Sequence, residues 1–380
     1  MESSLPLTPN SKSTRDEEVY VASPRKLMWW KFRQHKMAVA AGIFLAIMYF
    51  AAIFSEFAAP YDPFAFDARY TYLPPQAIHL IDEKGQLQRP FTYEIKKQRD
   101  PVTFALTYTE DTTKPRHYVQ LFVTGAPYKL WGIIPSNLHL FGVDTQSGNG
   151  TLFLMGTDSK GRDVLSRVIV GARVSLSVSL VGTFLSLLLG IFLGGLSGYF
   201  GGWIDMIVQR LIELLQSVPT LPLWMGLAAA IPLTWDPLTV YFLITVILSL
   251  INWTKMAREV RGRFLAMREE DFVMAARLLG ASNLRVILRH MVPSFLSHII
   301  AVTTLTIPEL ILSETGLSFI GLGLRPPVVS WGVLLQDAQN ISSIALSPWL
   351  LAPALVLVAT VVAFNFVGDG LRDAADPYVR

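Results

Sequence analysis

The stretch "EEDFVMAARLLGASNLRVILRHMVPSF", residues 269–295, is a charged, glycine-interrupted amphipathic segment between two apolar runs. Glu269, Glu270 and Asp271 place negative charge where a helix N-terminus favours it. Gly280 is expected to end this first short helix. The apolar residues that share one face at helical spacing are Phe272, Val273, Ala276 and Leu279.

A second short helix is predicted after Gly280. Ser282 is placed to cap it, and Pro293 precedes the next apolar run. Its apolar stripe is formed by Leu284, Ile287, Leu288 and Met291. Two short helices joined at a glycine, with the small residues Ala275 and Ala276 exposed for close approach, predict a folded knob (residues 269–293) that binds a partner protein. From the residues alone, an amphipathic helix lying on anionic lipid is an equal alternative.

The composition decides the class of protein. The chain has 380 residues, of which 52% are hydrophobic and only 16% are charged. These values exclude a soluble domain and a disordered chain, and they predict a polytopic membrane protein. Cysteine is absent, which excludes a disulfide framework, a thiol nucleophile and a thiolate metal site.

Apolar runs near the length of about 20 residues that a helix needs to cross a hydrocarbon core recur along the chain. Five are clear, and a sixth is weaker because it contains His298, Glu309, Glu314 and Pro308. The predicted spans are 37–55, 174–204, 214–235, 237–254, 294–315 and 338–368. The predicted fold is therefore all-α and polytopic, with six transmembrane helices. A cleaved signal peptide is the alternative for the first span, and the length of that run argues against it.

Lys and Arg residues near the span ends predict the orientation. They cluster before the first span and again between the fourth and fifth, so both segments are predicted to be cytoplasmic, as are both termini. The predicted division is a cytoplasmic tail with an amphipathic helix (1–36), the first transmembrane helix (37–58), a periplasmic insert (59–165) and a domain with the other five spans and the knob (166–380).

The insert has a β-rich composition over about residues 67–153. The runs "AIHLI", "FTYEI", "VTFALTYTE" and "HYVQLFV" are rich in β-branched and aromatic residues, and "DEKGQ" and "TTKPR" separate some of them as turns. A domain this small has a marginal core, so we expect it to pack against the spans or a partner. The polar first 23 residues are predicted to be a disordered tail.

The knob resembles the cytoplasmic loop of permease subunits of ATP-binding cassette (ABC) importers. That loop has the pattern Glu-Ala-Ala, three residues, Gly, nine residues, then Ile, any residue, Leu-Pro. Ala275, Ala276, Gly280 and Pro293 match in register. Met274, His290 and Val292 stand where the family has Glu, Ile and Leu.

Further motifs resemble the C-type permease of dipeptide and oligopeptide importers. They are "APYDP", "GTDSKGRDVLSRVIVGARVSL", "GYFGGWIDMIVQR", "ILSETGLSFIGLGLRPPVVSWG" and "FNFVGDGLRDAADP". The resemblance covers roughly residues 27–66 and 154–380. It implies an inner-membrane permease that forms half of a pathway for peptides or similar solutes. The residues that it implies for coupling to an ATPase are Asp271, Met274, Ala275, Ala276, Gly280 and Pro293.

The resemblance also implies the partners: a second homologous permease, two ATP-binding cassette ATPase subunits, a periplasmic solute-binding protein and the lipid bilayer, with no nucleic acid. The chain itself is predicted to bind no cofactor, since ATP and magnesium would bind to the ATPase subunits. The turn at Gly156 and Gly161 half-resembles a phosphate-binding loop, but the Lys and the Ser or Thr of that motif are missing. No catalytic constellation is present in the sequence, so the chain is predicted not to be an enzyme.

Two carboxylates in the fifth predicted span are the strongest candidates for the pathway or its gating, because ionisable groups within a membrane are costly. They are Glu309 and Glu314; for Glu314 a structural role at the span end is an equal alternative. Small and hydroxyl residues are weaker candidates, since such residues more often mark helix packing: Ser175, Ser177, Ser179, Gly182, Thr303, Thr304 and Thr306. An ion-driven secondary transporter and a membrane-anchored outer binding or scaffold domain remain the rival classes. Oligosaccharides, opine-like conjugates and nickel are alternative cargoes.

Overall fold

The structure is a computed structural model that describes residues 24–82, 85–99, 106–143 and 150–375. The predicted disordered tail, residues 1–23, lies outside this range. Nine helices in the described part carry the argument: α1 (Pro24–Gln34), α2 (Lys36–Ile53), α3 (Val164–Phe200), α4 (Gly202–Ser217), α5 (Thr220–Ala229), α6 (Pro237–Met267), α7 (Asp271–Leu278), α8 (Leu296–Phe319) and α9 (Ala352–Ala375).

Shorter helical turns connect these elements. They are α-helical at Ser55–Ala58, Asn283–Arg285, Val292–Ser294, Trp331–Leu335 and Ile341–Leu346, π-helical at Val286–Met291, and 3-10 at Ala68–Tyr70, Gln336–Gln339 and Pro348–Leu351.

Within the described residues, five helices are long and apolar enough to cross a membrane: α2, α3, α6, α8 from His298, and the segment Pro348–Ala374 that contains α9. The second, third and last of these differ from the predicted spans; α6 continues to Met267, beyond the predicted end at 254. Helix α3 begins ten residues before 174, because the side chain of Asp163 caps it at the Ser166 amide and the charges of Arg167 and Arg173 are accommodated inside it. The last span begins at Pro348 and not at 338, because residues 336–346 form short turns.

The predicted third span, 214–235, is not one straight helix. Helices α4 and α5 meet at an angle of 83°. Pro219 lies at the break; a proline has no amide hydrogen and disfavours helical dihedrals in the preceding residue. Val218 accordingly has extended dihedrals (φ −94°, ψ 132°). The pair is therefore either one broken span or a re-entrant segment by length and composition.

Helices α3 and α6 pack against each other along a ladder of glycines. Gly190, Gly194 and Gly198 recur every four residues on one face of α3. A Cβ atom built on Gly194 would lie 2.4 Å from the carbonyl oxygen of Ala257, and one on Gly198 would lie 2.6 Å from Cβ of Phe264. Small residues at this spacing let membrane helices approach closely. The ladder thus fixes the contact between these two helices.

The described residues of the insert form six strands, β1 (His79–Ile81), β2 (Leu87–Thr92), β3 (Glu94–Arg99), β4 (Leu106–Asp111), β5 (His117–Leu130) and β6 (Ile134–Val143). They form an antiparallel sheet in the order β1-β2-β5-β6 and a separate hairpin β3-β4. The β-rich prediction is confirmed where the residues are described; residues 102–105 of the run "VTFALTYTE" lie outside them. The sequence did not predict β6 or the extension of β5 to Leu130.

The hairpin β5-β6 packs against the short helix Ser55–Ala58 that follows α2 and contacts the last residue of α2. Nδ1 of His139 lies 2.6 Å from the carbonyl oxygen of Ala59, and Nε1 of Trp131 donates to the carbonyl oxygen of Ile53 at 2.7 Å. Arg173 of α3 donates to the carbonyl oxygens of Ala52 and Ile53 at 3.0 and 3.2 Å. These donors satisfy carbonyls that the end of a helix leaves open. The insert therefore packs on the spans, as its small core predicted.

Candidate functional site

The first half of the knob is helix α7, which ends as the sequence predicted. Gly280 has φ +79°, a conformation that glycine adopts without strain. Its amide donates to the carbonyl of Arg277 at 2.9 Å, and the amide of Ala281 donates to Ala276 at 3.1 Å. This pair of bonds closes the C-terminus of a helix as a Schellman motif. Ser282 occupies the cap position of the next turn, but its side chain makes no capping hydrogen bond.

The buried side of the knob differs from the predicted face. Val273 and Ala276 are buried, and with Val286, Ile287 and Met291 they form a cluster. This cluster packs on the side chains of Tyr199, Met256, Val260 and Phe264. The prediction that Ala276 is exposed for close approach is wrong, because helical spacing cannot tell which apolar side of a short helix faces its own protein. Ala275 is exposed as predicted.

The outward side of the knob is apolar as well. Leu278 and Leu279 are 87% and 88% exposed. The other large apolar side chains on this surface are Phe272, Met274, Leu284 and Leu288. Contiguous exposed apolar side chains of this size mark a binding surface. We call these six side chains the knob face; Asp271, Arg277, Arg285 and Arg289 are exposed beside it.

The knob is fastened to the end of α3 by polar contacts. Tyr199 donates from its hydroxyl to Oδ1 of Asn283 at 2.9 Å, and Nε of Arg277 donates to the same hydroxyl at 3.2 Å. The Arg277 guanidinium also lies 4.6 Å from the centre of the Tyr199 ring, within the range of a cation–π contact. The knob is therefore held against the end of α3.

A second polar connection joins α4 to α6. Arg261 makes two parallel hydrogen bonds to the carboxylate of Asp205, at 2.5 and 2.6 Å. Asp205 also accepts a hydrogen bond from Ser197 of α3 at 2.5 Å. Two-point Arg–carboxylate pairs are geometrically specific. Sequence reasoning did not single out either residue, although an Asp within an apolar stretch is a signal of this kind.

Glu314 is fully buried, and its partners connect three segments. It accepts hydrogen bonds from Ser175 of α3 at 3.1 Å and from Ser318 at 2.8 Å. Ser318 accepts from the amide of Leu324 at 3.0 Å, and Ser175 accepts from the amide of Trp331 at 3.1 Å. The carboxylate thus holds α3, α8 and the following loop together. Glu314 does not line the charged cavity described below.

Glu309 has a different environment from Glu314. It is paired with Lys255 of α6, and both side chains are partly exposed. They line a cavity of about 490 Å³. Eight of its twelve lining residues are polar or charged: Gln216, Lys255, Arg258, Glu259, His298, Thr306, Glu309 and Arg372. A charge pair this exposed within membrane helices faces water or another protein and not lipid.

The predicted small and hydroxyl residues divide between two roles. Ser175 and Ser179 are buried, and the carbonyl of Gly182 accepts from Ser249 of α6 at 3.1 Å. Ser177 accepts from the Tyr241 hydroxyl at 3.0 Å. These four positions belong to helix packing. In α8, the hydroxyls of Thr304 and Thr306 donate hydrogen bonds to carbonyls of their own helix, and the hydroxyl of Thr303 is buried without a partner. Of these three threonines, only Thr306 lines the charged cavity.

Residues 186–380 match the family of binding-protein-dependent transport system inner membrane components, and residues 23–75 match the N-terminal transmembrane domain of oligopeptide transport permease C. The chain belongs to the binding-protein-dependent inner membrane component family. The permease is thus a subunit of the ABC importer class that its motifs resemble, and the prediction from those motifs is confirmed.

Curated relatives agree with this identification. The permease is 41% identical over 226 residues to the oligopeptide transport system permease protein OppC of Haemophilus influenzae, which covers 59% of this chain and 70% of that protein. It is 40% identical over 271 residues to OppC of Salmonella typhimurium, which covers 69% and 84%. A solved inward-facing structure of the MetNI methionine ABC transporter covers 55% of this chain and 97% of its own, at 18% identity and a TM-score of 0.44.

The turn that precedes α3 in the permease is a buried charge cluster. Asp158 pairs with Arg162 at 2.7 Å and lies 3.6 Å from Nε of Arg167. Burial raises the pKa of Asp163 to about 6, against the hydrogen bonds that Ser166 donates to it. Burial, followed by the charge of Asp158, also raises the pKa of Asp337. In this turn, which half-resembles a phosphate-binding loop, Asp158 is therefore paired with arginines and Asp163 caps α3.

We expect Glu314 to act as a structural residue of the permease. Glu314→Ala leaves the hydroxyls of Ser175 and Ser318 without their acceptor, which costs about 1–3 kcal/mol for a buried hydrogen-bonding group. The melting temperature of the purified complex should therefore fall. Glu314→Gln keeps an acceptor and should retain both stability and uptake. Loss of uptake by Glu314→Gln at unchanged melting temperature would establish the gating role instead.

Proposed function

We propose that the permease is one of two pathway-forming subunits of an ATP-driven importer of oligopeptides or dipeptides. The observation that carries the proposal is the knob face: six large apolar side chains exposed on a folded knob that is fastened to α3 and α6. The outward side of the knob has no partner within the described chain, so a partner protein can bind there. Because the core of the knob is buried, the knob then moves with that partner as one unit. The assignment of peptides as the cargo rests on the names of the relatives.

The implied coupling residues take two roles in this proposal. Asp271, Met274 and Ala275 are exposed and contact the ATPase subunit directly. Ala276, Gly280 and Pro293 shape the knob: Ala276 packs in its core, Gly280 ends α7, and Pro293 lies in the turn that leads to α8. ATP and magnesium bind to the two ATPase subunits in this scheme.

Helix α6 is the element that carries motion from the knob into the membrane. Its 31 residues extend for about 46 Å at 1.5 Å per residue, whereas a hydrocarbon core is about 30 Å thick. The excess length carries Arg258, Arg261 and Arg263 beyond the membrane and brings α6 to the knob. Closure of the ATPase subunits would tilt α6 and α3 together, a rigid-body change of the kind that switches access between two sides.

The second permease subunit covers the face with the charged cavity. Lys255 and Glu309 lie within helices α6 and α8 and remain partly exposed in the single chain. Exposure of these two charged side chains to lipid would be costly, since ionisable groups in a membrane need a polar partner or water. The cavity therefore lies on the pathway side, and Glu309 and Thr306 belong to it.

The six-span topology treats α4 and α5 as one broken span, with both termini in the cytoplasm and the insert in the periplasm. The chain has no cysteine, so Ser136→Cys in the insert and Ser282→Cys in the knob report sidedness without background. Only Ser136→Cys should react with an impermeant thiol reagent applied outside intact cells. Labelling of Ser282→Cys there would overturn the topology.

Reconstitution of the complete importer in proteoliposomes tests the function. Uptake of a labelled tripeptide should require ATP and the binding protein and should persist when ionophores collapse all ion gradients. Uptake that fails with the ionophores and continues without ATP would establish the secondary transporter. ATP-driven uptake of an oligosaccharide, an opine-like conjugate or nickel, with no uptake of the tripeptide, would overturn the peptide assignment.

A further inference from the structure

The loop that joins β5 to β6 is an uncharged, apolar tip of the insert. Residues 130–134 read Leu-Trp-Gly-Ile-Ile and carry no charge. Ile133 is 78% exposed, and Trp131 and Ile134 are about half exposed. Lys129 on one side and Asn137 on the other are exposed polar residues. The tip thus presents apolar side chains outward, with polar groups set back from its end.

The structure fixes the position of this tip along the axis of α2. The Trp131 indole donates to the carbonyl oxygen of Ile53, the last residue of α2, at 2.7 Å, and its ring lies 5.5 Å from that of Phe54. Helix α2 has 18 residues and extends for about 27 Å, close to the thickness of about 30 Å of a hydrocarbon core. Its last residue therefore lies at the membrane boundary, and so does Trp131.

The surface of α2 continues into the tip. Ile43, Ile47, Phe50 and Ile53 are exposed and follow helical spacing along one side of α2, and the Phe50 ring lies 4.8 Å from that of Phe54. Helix α2 itself packs on α3 and α9. An uncharged exposed stripe on a membrane helix faces lipid, and Trp is enriched where such helices leave the hydrocarbon.

The backbone of the tip is held in an unusual conformation. Trp131 has φ +53°, a region that non-glycine residues seldom occupy and that a bulky side chain enters only when other contacts hold it there. The hairpin turn provides them: Gly132 also has a positive φ, and the amide of Ile133 donates to the carbonyl of Leu130 at 3.1 Å, as in the tight turns that hairpins favour. The Trp131 indole is then held against Ile53 and Phe54, and Ile133 is left exposed at the end of the tip.

We propose that the tip 130–134 inserts into the outer leaflet of the bilayer beside α2 and anchors the insert to the membrane surface. Lipid is the occupant that fits, because the tip is uncharged, continues the lipid-facing stripe of α2 and lies at the height of the membrane boundary. Lys129 is placed to reach the phosphate groups of the lipids, as long basic side chains do at this depth. The proposal rests on α2 crossing the membrane, as in the proposed function, and not on the cargo.

Spin labels on single cysteines test the anchor in the complete importer, assembled from cysteine-free partner subunits in vesicles of phosphatidylethanolamine and phosphatidylglycerol. Ile133→Cys is the test position, and Asn137→Cys on the same hairpin is the matched control. Collision rates are measured with oxygen, which partitions into lipid, and with a water-soluble nickel chelate. The oxygen-to-nickel ratio should be several-fold higher at 133 than at 137.

Each other outcome at position 133 overturns the anchor. A ratio equal to that at 137 would mean that the tip lies in water. Exclusion of both oxygen and nickel would mean that a protein covers it. A label at Ile47→Cys, midway along α2, separates these failures from failure of the proposed topology: if α2 crosses the membrane, position 47 is reached by oxygen and not by nickel, whatever the tip does.

Discussion

Leu278→Asp is expected to abolish ATP-driven uptake while leaving the permease folded. Leu278 belongs to the knob face and is 87% exposed, so the substitution removes little packing within the chain. In the assembled importer the aspartate would be desolvated opposite an apolar surface. An unpaired charge in such an interface costs about 2–5 kcal/mol, and each 1.4 kcal/mol is about a tenfold loss of affinity.

The ATPase subunits should therefore fail to copurify with the Leu278→Asp permease, and uptake should fall to background. Leu87→Asp is the matched control: Leu87 is 82% exposed but lies on β2 of the insert, so copurification and uptake should be retained. Wild-type uptake by Leu278→Asp would favour a knob that lies on lipid. Ala276→Glu cannot make this distinction, because Ala276 lies in the core of the knob and its replacement would unfold the knob.

Gly194→Leu is expected to prevent stable folding of the permease. Any side chain at this position meets the backbone of Ala257, with a Cβ 2.4 Å from the carbonyl oxygen and 2.8 Å from Cα. Backbone atoms cannot rotate away as the end of a flexible side chain does, so α3 and α6 would have to separate along the glycine ladder. Overpacking typically costs about 1–3 kcal/mol and sometimes more, and here it acts on the helix pair that joins the knob to the membrane.

The yield of monodisperse permease after detergent extraction and its melting temperature measure this effect, and both should fall sharply for Gly194→Leu. Gly262→Leu is the control on the partner helix α6, where a new Cβ meets no atom within 4 Å, so yield and melting temperature should stay near the wild-type values. Equal behaviour of the two variants would show that the close approach of α3 and α6 is not needed for folding.

The sequence predicted the elements that are specified by residues close together in the chain. Gly280 ended α7 because a glycine is the residue that the terminating conformation requires, and the turn "TTKPR" separates β4 from β5 as its composition indicated. The apolar runs located the membrane helices because length and hydropathy suffice for that. Their ends were misplaced where a charged residue is accommodated by neighbours, as with Arg167 and Arg173 in α3.

What the sequence could not predict depends on tertiary contacts. The knob has apolar side chains on both sides, so spacing alone could not tell that Val273 and Ala276 pack on α3 and α6 while Leu278 and Leu279 face outward. The two candidate carboxylates are alike in sequence, yet Glu314 is buried among hydroxyls and Glu309 pairs with Lys255 in an open cavity. The bend at Pro219 had a local signal, which the long apolar run concealed.

Photo-crosslinking from the knob face tests most directly whether an ATPase subunit binds there. A benzophenone amino acid replaces Leu279, which is 88% exposed, and the complete importer is irradiated in vesicles. We expect one major adduct, of the permease with an ATPase subunit, and its yield should change between the ATP-bound and nucleotide-free states. Crosslinking to lipid alone, with no ATPase adduct in either state, would contradict the assignment of the knob as the site through which ATP hydrolysis drives transport.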